Sequence, residues 1–411
     1  MPPSLLAALV ITGLLLQLWL HGRELRYQQR QSAPAGARSS DYSRQRLRFA
    51  ALGLILEALF VLLMLVAGLE LLQRLWLAAG LSGWALQWAL LLSVLLLLAA
   101  VQRAITLLRV WCVERRFGYS RQRLGGFLRD TLVKAGLLLI VGTGLAAAAT
   151  RLLEPGWQAG WWLLALLWGG FVWVRSWLYP ALIAPLFNRY RPVDDPDLVC
   201  RVRAIGRQAG IDLGPLLVMD GSRRSSHGNA HVTGAAGSRR VVLLDTLSGI
   251  LDTGEIAAVV GHEAGHLRAR HMPLFQLCSL LVSALWIGLF SLAAGTADMA
   301  SGTGLALLWL LTPSAALLVK PLFSCMIRGF EHQADAFAGA CGYADALARA
   351  LVKLTRHNGA AEDSDPWFSL VYHSHPRLAE RLRRLGDKTL HRVHKPLGES
   401  TNALSRNGFM P

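Results

Sequence analysis

The chain has 411 residues, of which 53% are hydrophobic, with a mean hydropathy of +0.38 and a formal charge of +16. So apolar a chain, with its apolar residues gathered into long runs, excludes a purely aqueous protein and marks a polytopic membrane protein. The charge comes from 37 Arg against 5 Lys. These cluster between the apolar runs, so positive-inside topology accounts for them and no nucleic-acid partner is expected.

Apolar runs of near-membrane length predict seven spans, at about 4–20, 50–72, 85–108, 132–153, 160–187, 273–297 and 303–328. No basic residue precedes the first run and several follow it, so it reads as a retained span rather than a signal peptide. Residues 21–48 carry seven Arg, and 103–134 carry seven Arg plus Lys134. The loops near 73–84, 151–159 and 298–302 carry one, one and no basic residues. This alternation predicts an N-terminus outside, a C-terminus in the cytoplasm, and cytoplasmic placement for 188–272 and everything after about 329. The expected organisation is therefore 1–187 (spans one to five with basic cytoplasmic loops), 188–272 (cytoplasmic insertion), 273–328 (spans six and seven) and 329–411 (cytoplasmic C-terminal region with a basic tail). Glu57, Glu70, Arg175 and Lys320 fall within spans, where ionisable groups face a bundle interior or snorkel to the interface.

Pro180 and Pro185 are expected to break or kink the end of span five. Leu216–Met219 reads as a short strand. His231-Val232-Thr233 and Val241–Leu244 read as a hairpin turning at Ala235–Ser238. An edge strand here can hold an extended peptide by backbone hydrogen bonds. Asp252 and Glu255 then form a capping-box pattern, which opens a helix carrying Gly261-His262-Glu263-Ala264-Gly265-His266. Four residues apart on one helical face, the imidazoles of His262 and His266 can share one tetrahedral Zn²⁺. Glu263 lies beside them without being a ligand, which suits a general base acting on water.

A catalytic zinc needs a third protein ligand and an open position. His271 is one candidate, five residues past His266. A metzincin pattern would need Gly and His where the chain has Ala269 and Met272, so that class is excluded. Glu331 is the better candidate. It stands four residues before Asp335, on the same helical face, so Glu331 can ligate while Asp335 takes a hydrogen bond from a zinc histidine. His332 points about 100° away and is left out. The five cysteines are scattered, with no CxxC, and read as buried small side chains rather than ligands or a disulfide framework. The final Asn407-Gly408-Phe409-Met410-Pro411 forms no prenylation signal.

These motifs, taken with others, resemble the seven-span CaaX prenyl protease family, integral-membrane zinc endopeptidases of the gluzincin type. The likeness runs from about residue 110 to 385 in family order. It includes Glu114–Arg121, Tyr179-Pro180, Pro185–Asn188, Asp220–Ala230, Val242–Leu247, both zinc segments and Ser374–Leu382. It implies a mainly α fold in which seven helices enclose a water-filled chamber, with a small β-hairpin beside the zinc helix at the cytoplasmic end. It also implies one Zn²⁺ per chain on His262, His266 and Glu331, with Glu263 as base. By the same resemblance Asn229 and Ala230 contact the substrate backbone, and His375 and Arg381 lie near the scissile carbonyl. His231 departs from the aromatic usual after Asn-Ala. The expected partners are membrane lipid and a peptide or membrane-protein substrate, prenylated or not. Substrates are either prenylated C-termini or misfolded and stalled membrane proteins. High Arg and Leu/Ala use point to a bacterial inner membrane and favour the second. The competing function classes are a catalytically silent peptide- or lipid-binding protein and a transporter. Neither base nor ligand is missing, which disfavours the first, and no internal repeat supports the second.

Overall fold

In the computed structural model, residues 2–30, 37–152, 160–233, 239–295 and 301–386 are described. The expected turn at 235–238, most of the loops at 151–159 and 298–302, and the basic tail beyond 386 lie outside them. Helices dominate. In chain order they begin with α1 (Pro3–Arg30), α2 (Ala37–Leu63), α3 (Leu69–Ala78), α4 (Gly83–Arg109), α5 (Leu124–Leu152), α6 (Gly160–Leu178) and α7 (Ala184–Phe187). Six continuous helical segments among the described residues are long and apolar enough to cross a membrane. They are Pro3–Arg30, Ser39–Ala78, Gly83–Glu114, Leu124–Leu152, His271–Ala294 and Gly302–His357. The remaining expected span corresponds to the 19-residue α6.

The helices are longer than the apolar runs of the sequence. At Pro180 the chain does not break; it widens into a π-helical turn, Tyr179–Ile183, which leads directly into α7. The bundle packs around Leu90, Val94, Ala306, Leu310 and Leu311. Its outside is also apolar, with Leu292 83%, Val66 79% and Ile140 75% exposed. Such a surface is stable only against lipid.

A second, separate core lies under the sheet. Strands β1 (Tyr190–Pro192), β2 (Leu216–Met219), β3 (Ala230–Thr233) and β4 (Arg240–Leu244) form one mixed sheet in the order β1-β2-β4-β3. The expected β3–β4 antiparallel pairing is present. Strand β1 has no signal in the sequence pattern and pairs antiparallel with β2, which joins β4 in parallel. Between β1 and β2 runs α8 (Pro196–Ala209), and after β4 come α9 (Thr253–Arg268) and α10 (His271–Ala294). Val241, Leu243, Ile205, Ala257 and Val260 are fully buried together, so the sheet rests on α8 and α9. The last elements are α11 (Gly302–Ala338), α12 (Ala344–His357), α13 (Pro366–Tyr372) and α14 (Leu378–Arg384). The expected boundary at 328/329 falls inside α11, a single 37-residue helix.

The end of α1 is latched to the segment before α13. The Arg23 guanidinium donates to both Asp365 oxygens at 3.1 and 2.9 Å. The buried Glu24 carboxylate accepts from Ser364 Oγ at 2.8 Å, the Asp365 N–H at 2.7 Å and Gln28 Nε2 at 2.7 Å. Replacing Glu24 with Ala strands these donors, so the full-length protein should lose about 1–3 kcal/mol of stability. Thermal unfolding in detergent measures this, and an unchanged midpoint would show that the latch bears no weight.

Candidate metal centre

The site is assembled by close approach of α9 and α11. Asp252 caps α9 with a complete capping box: its side chain accepts the Glu255 N–H at 2.8 Å, and Glu255 Oε2 accepts the Asp252 N–H at 3.1 Å. On the inner face of α9, Gly265 meets Ala334 so closely that a Cβ there would lie 2.8 Å from the Ala334 Cα. Only glycine permits this contact, and the contact brings the acid of α11 to the histidines of α9.

One ligand atom from each of His262, His266 and Glu331 can be chosen so that all lie within 4.8 Å of one another. The two histidine Nε2 atoms stand 3.2 Å apart. Glu331 Oε1 is 3.4 Å from His266 Nε2, and Oε2 is 3.6 Å from His262 Nε2. Ligands on a tetrahedral zinc at the usual bond lengths sit about 3.3 Å from each other. The residues therefore fit that ion. Glu331 is 3% exposed, and no donor meets its Oε2 in hydrogen-bond geometry, although His375 Nδ1 lies 2.8 Å away. A buried carboxylate oxygen in that condition is free to serve as a ligand to a cation.

Around this triad the other candidates occupy distinct places. His262 Nδ1 donates to Asp335 Oδ1 at 2.8 Å, since an ionised carboxylate can only accept. Arg381 is buried behind that pair, its Nε 2.8 Å from Asp335 Oδ2 and an Nη 2.6 Å from Oδ1. Burial alone would lower the Arg381 pKa, but the Asp335 carboxylate outweighs it and holds the guanidinium charged. The remaining Nη reaches to 3.6 Å from Glu331 Oε2. His375, in contrast, is largely exposed beside Glu331. His332 turns away to Glu380, at 3.0 Å. His271 does not join the triad: its Nδ1 lies 2.9 Å from the far nitrogen of His266.

Glu263 links this centre to the sheet. Its carboxylate accepts the Val232 N–H of edge strand β3. The Leu244 N–H bonds the Asn229 carbonyl at 3.0 Å, which sets the ladder phase so that Val232 faces outward from the sheet toward α9. Burial pushes the Glu263 carboxyl above the usual carboxylate range, while the His262 and His266 imidazoles pull the other way. Asn229 and Ala230 stand just upstream on the same edge, and the Asn229 amide oxygen accepts the Ala230 N–H at 2.9 Å. The bond from Val232 to Glu263 was invisible in the sequence, because strand phase follows from pairing and not from residue type.

A helix-borne HExxH, a third acid on a second helix and a membrane bundle together define a membrane-embedded zinc metalloprotease. Residues 192–389 match peptidase family M48, and residues 27–189 match the family described as CAAX prenyl protease N-terminal, five membrane helices. The CAAX prenyl protease 1 homolog of Arabidopsis thaliana is 34% identical over 294 residues, 68% of each chain. The human homolog is 28% identical over 401 residues, covering 81% of this chain and 82% of its own. The crystal structure of S. mikatae Ste24p superposes with a TM-score of 0.84 at 24% identity, covering 94% of this chain and 99% of that one. The chain belongs to the M48 CAAX prenyl protease family. Peptidases of this family are zinc-dependent, and the protein is an integral, multi-pass membrane metallopeptidase.

Proposed function

We propose that this protein is an endopeptidase that cuts peptides at the cytoplasmic membrane face, with one zinc per chain held by His262, His266 and Glu331. The near-tetrahedral spacing of those three ligand atoms, with Glu263 beside them, carries the reading. When bound, zinc supplies a Lewis acid that polarises the scissile carbonyl and lowers the pKa of water toward neutrality. Glu263 accepts the proton of the attacking water and later delivers it to the leaving amine. Burial suits that second duty by favouring the protonated carboxyl between the two transfers. His375, exposed at the rim, donates to the carbonyl oxygen as negative charge develops there. Asp335, backed by Arg381, fixes the His262 tautomer. Edge strand β3, through Asn229 and Ala230, aligns the peptide by backbone pairing.

In this reading the spans 1–187 and 273–328 form seven membrane crossings around a water-filled chamber, with the insertion 188–272 and the region 329–411 in the cytoplasm and the N-terminus outside. A bacterial inner membrane is the proposed location. The relatives' names point to C-terminal CaaX peptides, and the chemistry of the site admits prenylated and unmodified chains alike. Matched peptides, one farnesylated at its CaaX cysteine and one bare, should be offered to purified protein in detergent with zinc. Cleavage of both is expected and supports a protease that also clears misfolded or stalled membrane proteins. Cleavage of the farnesylated peptide alone narrows the function to CaaX processing. Cleavage of neither by zinc-loaded protein overturns the proposal in favour of a silent peptide- or lipid-binding protein.

A further inference from the structure

A neutral histidine binds a metal through one ring nitrogen while the other carries the proton, and the partner of that N–H fixes the tautomer and the ring orientation. For His262 that partner is Asp335. For His266 the structure puts another imidazole in the place, and we infer that His271 is a positioning residue that sets the tautomer of His266 and so the affinity of the zinc centre. This rests on the reading of His266 as a ligand.

His271 is 4% exposed. Its Nδ1 lies 2.9 Å from His266 Nδ1, and its Nε2 lies 3.0 Å from Gln333 Oε1. The amide oxygen of Gln333 can only accept, so His271 Nε2 carries the proton. A neutral imidazole has one N–H, which leaves His271 Nδ1 as an acceptor. His266 Nδ1 must then donate, and its Nε2 lone pair is left facing His262 and Glu331. The opposite amide orientation would reverse every step and put a proton on His266 Nε2, where it would block ligation. The direction of the chain Gln333–His271–His266 is therefore tied to metal binding.

The backbone is arranged to make this contact. On an unbroken helix a residue five past His266 would point about 140° away from it. Arg270 instead adopts φ 55° and ψ 37°, and among the described residues it is the one non-glycine with positive φ. That left-handed residue separates α9 from α10 and turns His271 back beneath His266. Such a conformation is sparsely populated for a side chain like arginine and persists where surrounding structure enforces it. The enforcement comes from α11: Phe330 stacks on the His271 ring at 4.1 Å with the planes 9° apart, and Gln333 holds its far nitrogen. Phe330 and Gln333 flank Glu331, so one helix delivers the third acid and aligns the second histidine. The two ligand histidines thus differ behind the centre. One leans on a carboxylate already paired with Arg381, the other on a neutral ring that adds no charge.

The test is zinc affinity, measured by chelator competition on metal-stripped, full-length protein in detergent. His271→Phe keeps the ring volume and the stack on Phe330 but removes the acceptor. We expect zinc binding about 10–100-fold weaker. His271→Asn places an oxygen where Nδ1 was and should recover most of that loss. A mere packing role demands the reverse order, with Phe tolerated and Asn not. Equal affinity of wild type and His271→Phe, or equal loss in both variants, overturns the inference. If the zinc-free His271→Phe protein melts below wild type, the exposed Gln333→Lys carries the test. It puts a donor where the acceptor was, and zinc binding should weaken; an unchanged affinity overturns the inference. If wild type itself binds no zinc, or His266→Ala binds it as well as wild type, the assignment of the centre fails instead.

Discussion

Glu263→Gln removes peptide cleavage by about 10²–10⁴-fold or more and leaves the zinc content at the wild-type level. The substitution is nearly isosteric. The amide oxygen of Gln still accepts the Val232 N–H, so β3 keeps its place against α9. The ligand atoms on His262, His266 and Glu331 are untouched. What disappears is the ability to take a proton from water and return it to the amine. Single-turnover peptide cleavage, paired with metal analysis of the same preparation, reads both halves of the claim. Wild-type cleavage by the variant would remove Glu263 from the mechanism. Loss of zinc would instead move it into the ligand set, which its contact with Val232 makes geometrically awkward.

Local patterns in the sequence carried much of this site. The capping box at Asp252 and Glu255, the i,i+4 pairing of His262 with His266, and that of Glu331 with Asp335 are all consequences of helical period, and each appears in the structure as drawn. The strands β2, β3 and β4 were legible from their β-branched and apolar runs to within a residue. Strand β1 was not. Tyr190-Arg191-Pro192 has no alternation, contains a proline, and becomes a strand only because β2 lies alongside. Six described segments have the length and apolarity of a span, against seven expected; the difference falls at α6, the shortest of the long apolar helices and one that passes into a π turn. What sequence period cannot show is contact between elements. The polar latch of α1 on the segment before α13, the reversal at Arg270 and the depth of Arg381 all depend on three-dimensional packing across long stretches of chain.

Arg381 is the residue whose depth matters most. The family resemblance sets it near the scissile carbonyl, yet the residue is 7% exposed and its guanidinium grips Asp335 through two nitrogens. The same Nη that meets Asp335 Oδ1 lies 3.4 Å from His262 Nδ1, and the third nitrogen leans on Glu331. Replacing it with Met leaves the Asp335 carboxylate buried and short of a counter-charge, so the protein should lose about 3–5 kcal/mol of stability. The released carboxylate also orients His262 less firmly, so zinc affinity should fall with it. Arg381→Lys should restore only part of either, because an ammonium cannot repeat the bidentate fork. The double variant Arg381→Met with Asp335→Asn should be less destabilised than the sum of the single changes, since removing both charges strands neither. Turnover distinguishes support from direct catalysis. If Arg381 acts through Asp335 and His262, activity lost in Arg381→Lys returns as zinc is raised to saturation. If Arg381 instead donates to the reacting carbonyl, zinc binding stays at the wild-type level and the turnover deficit persists at every zinc concentration.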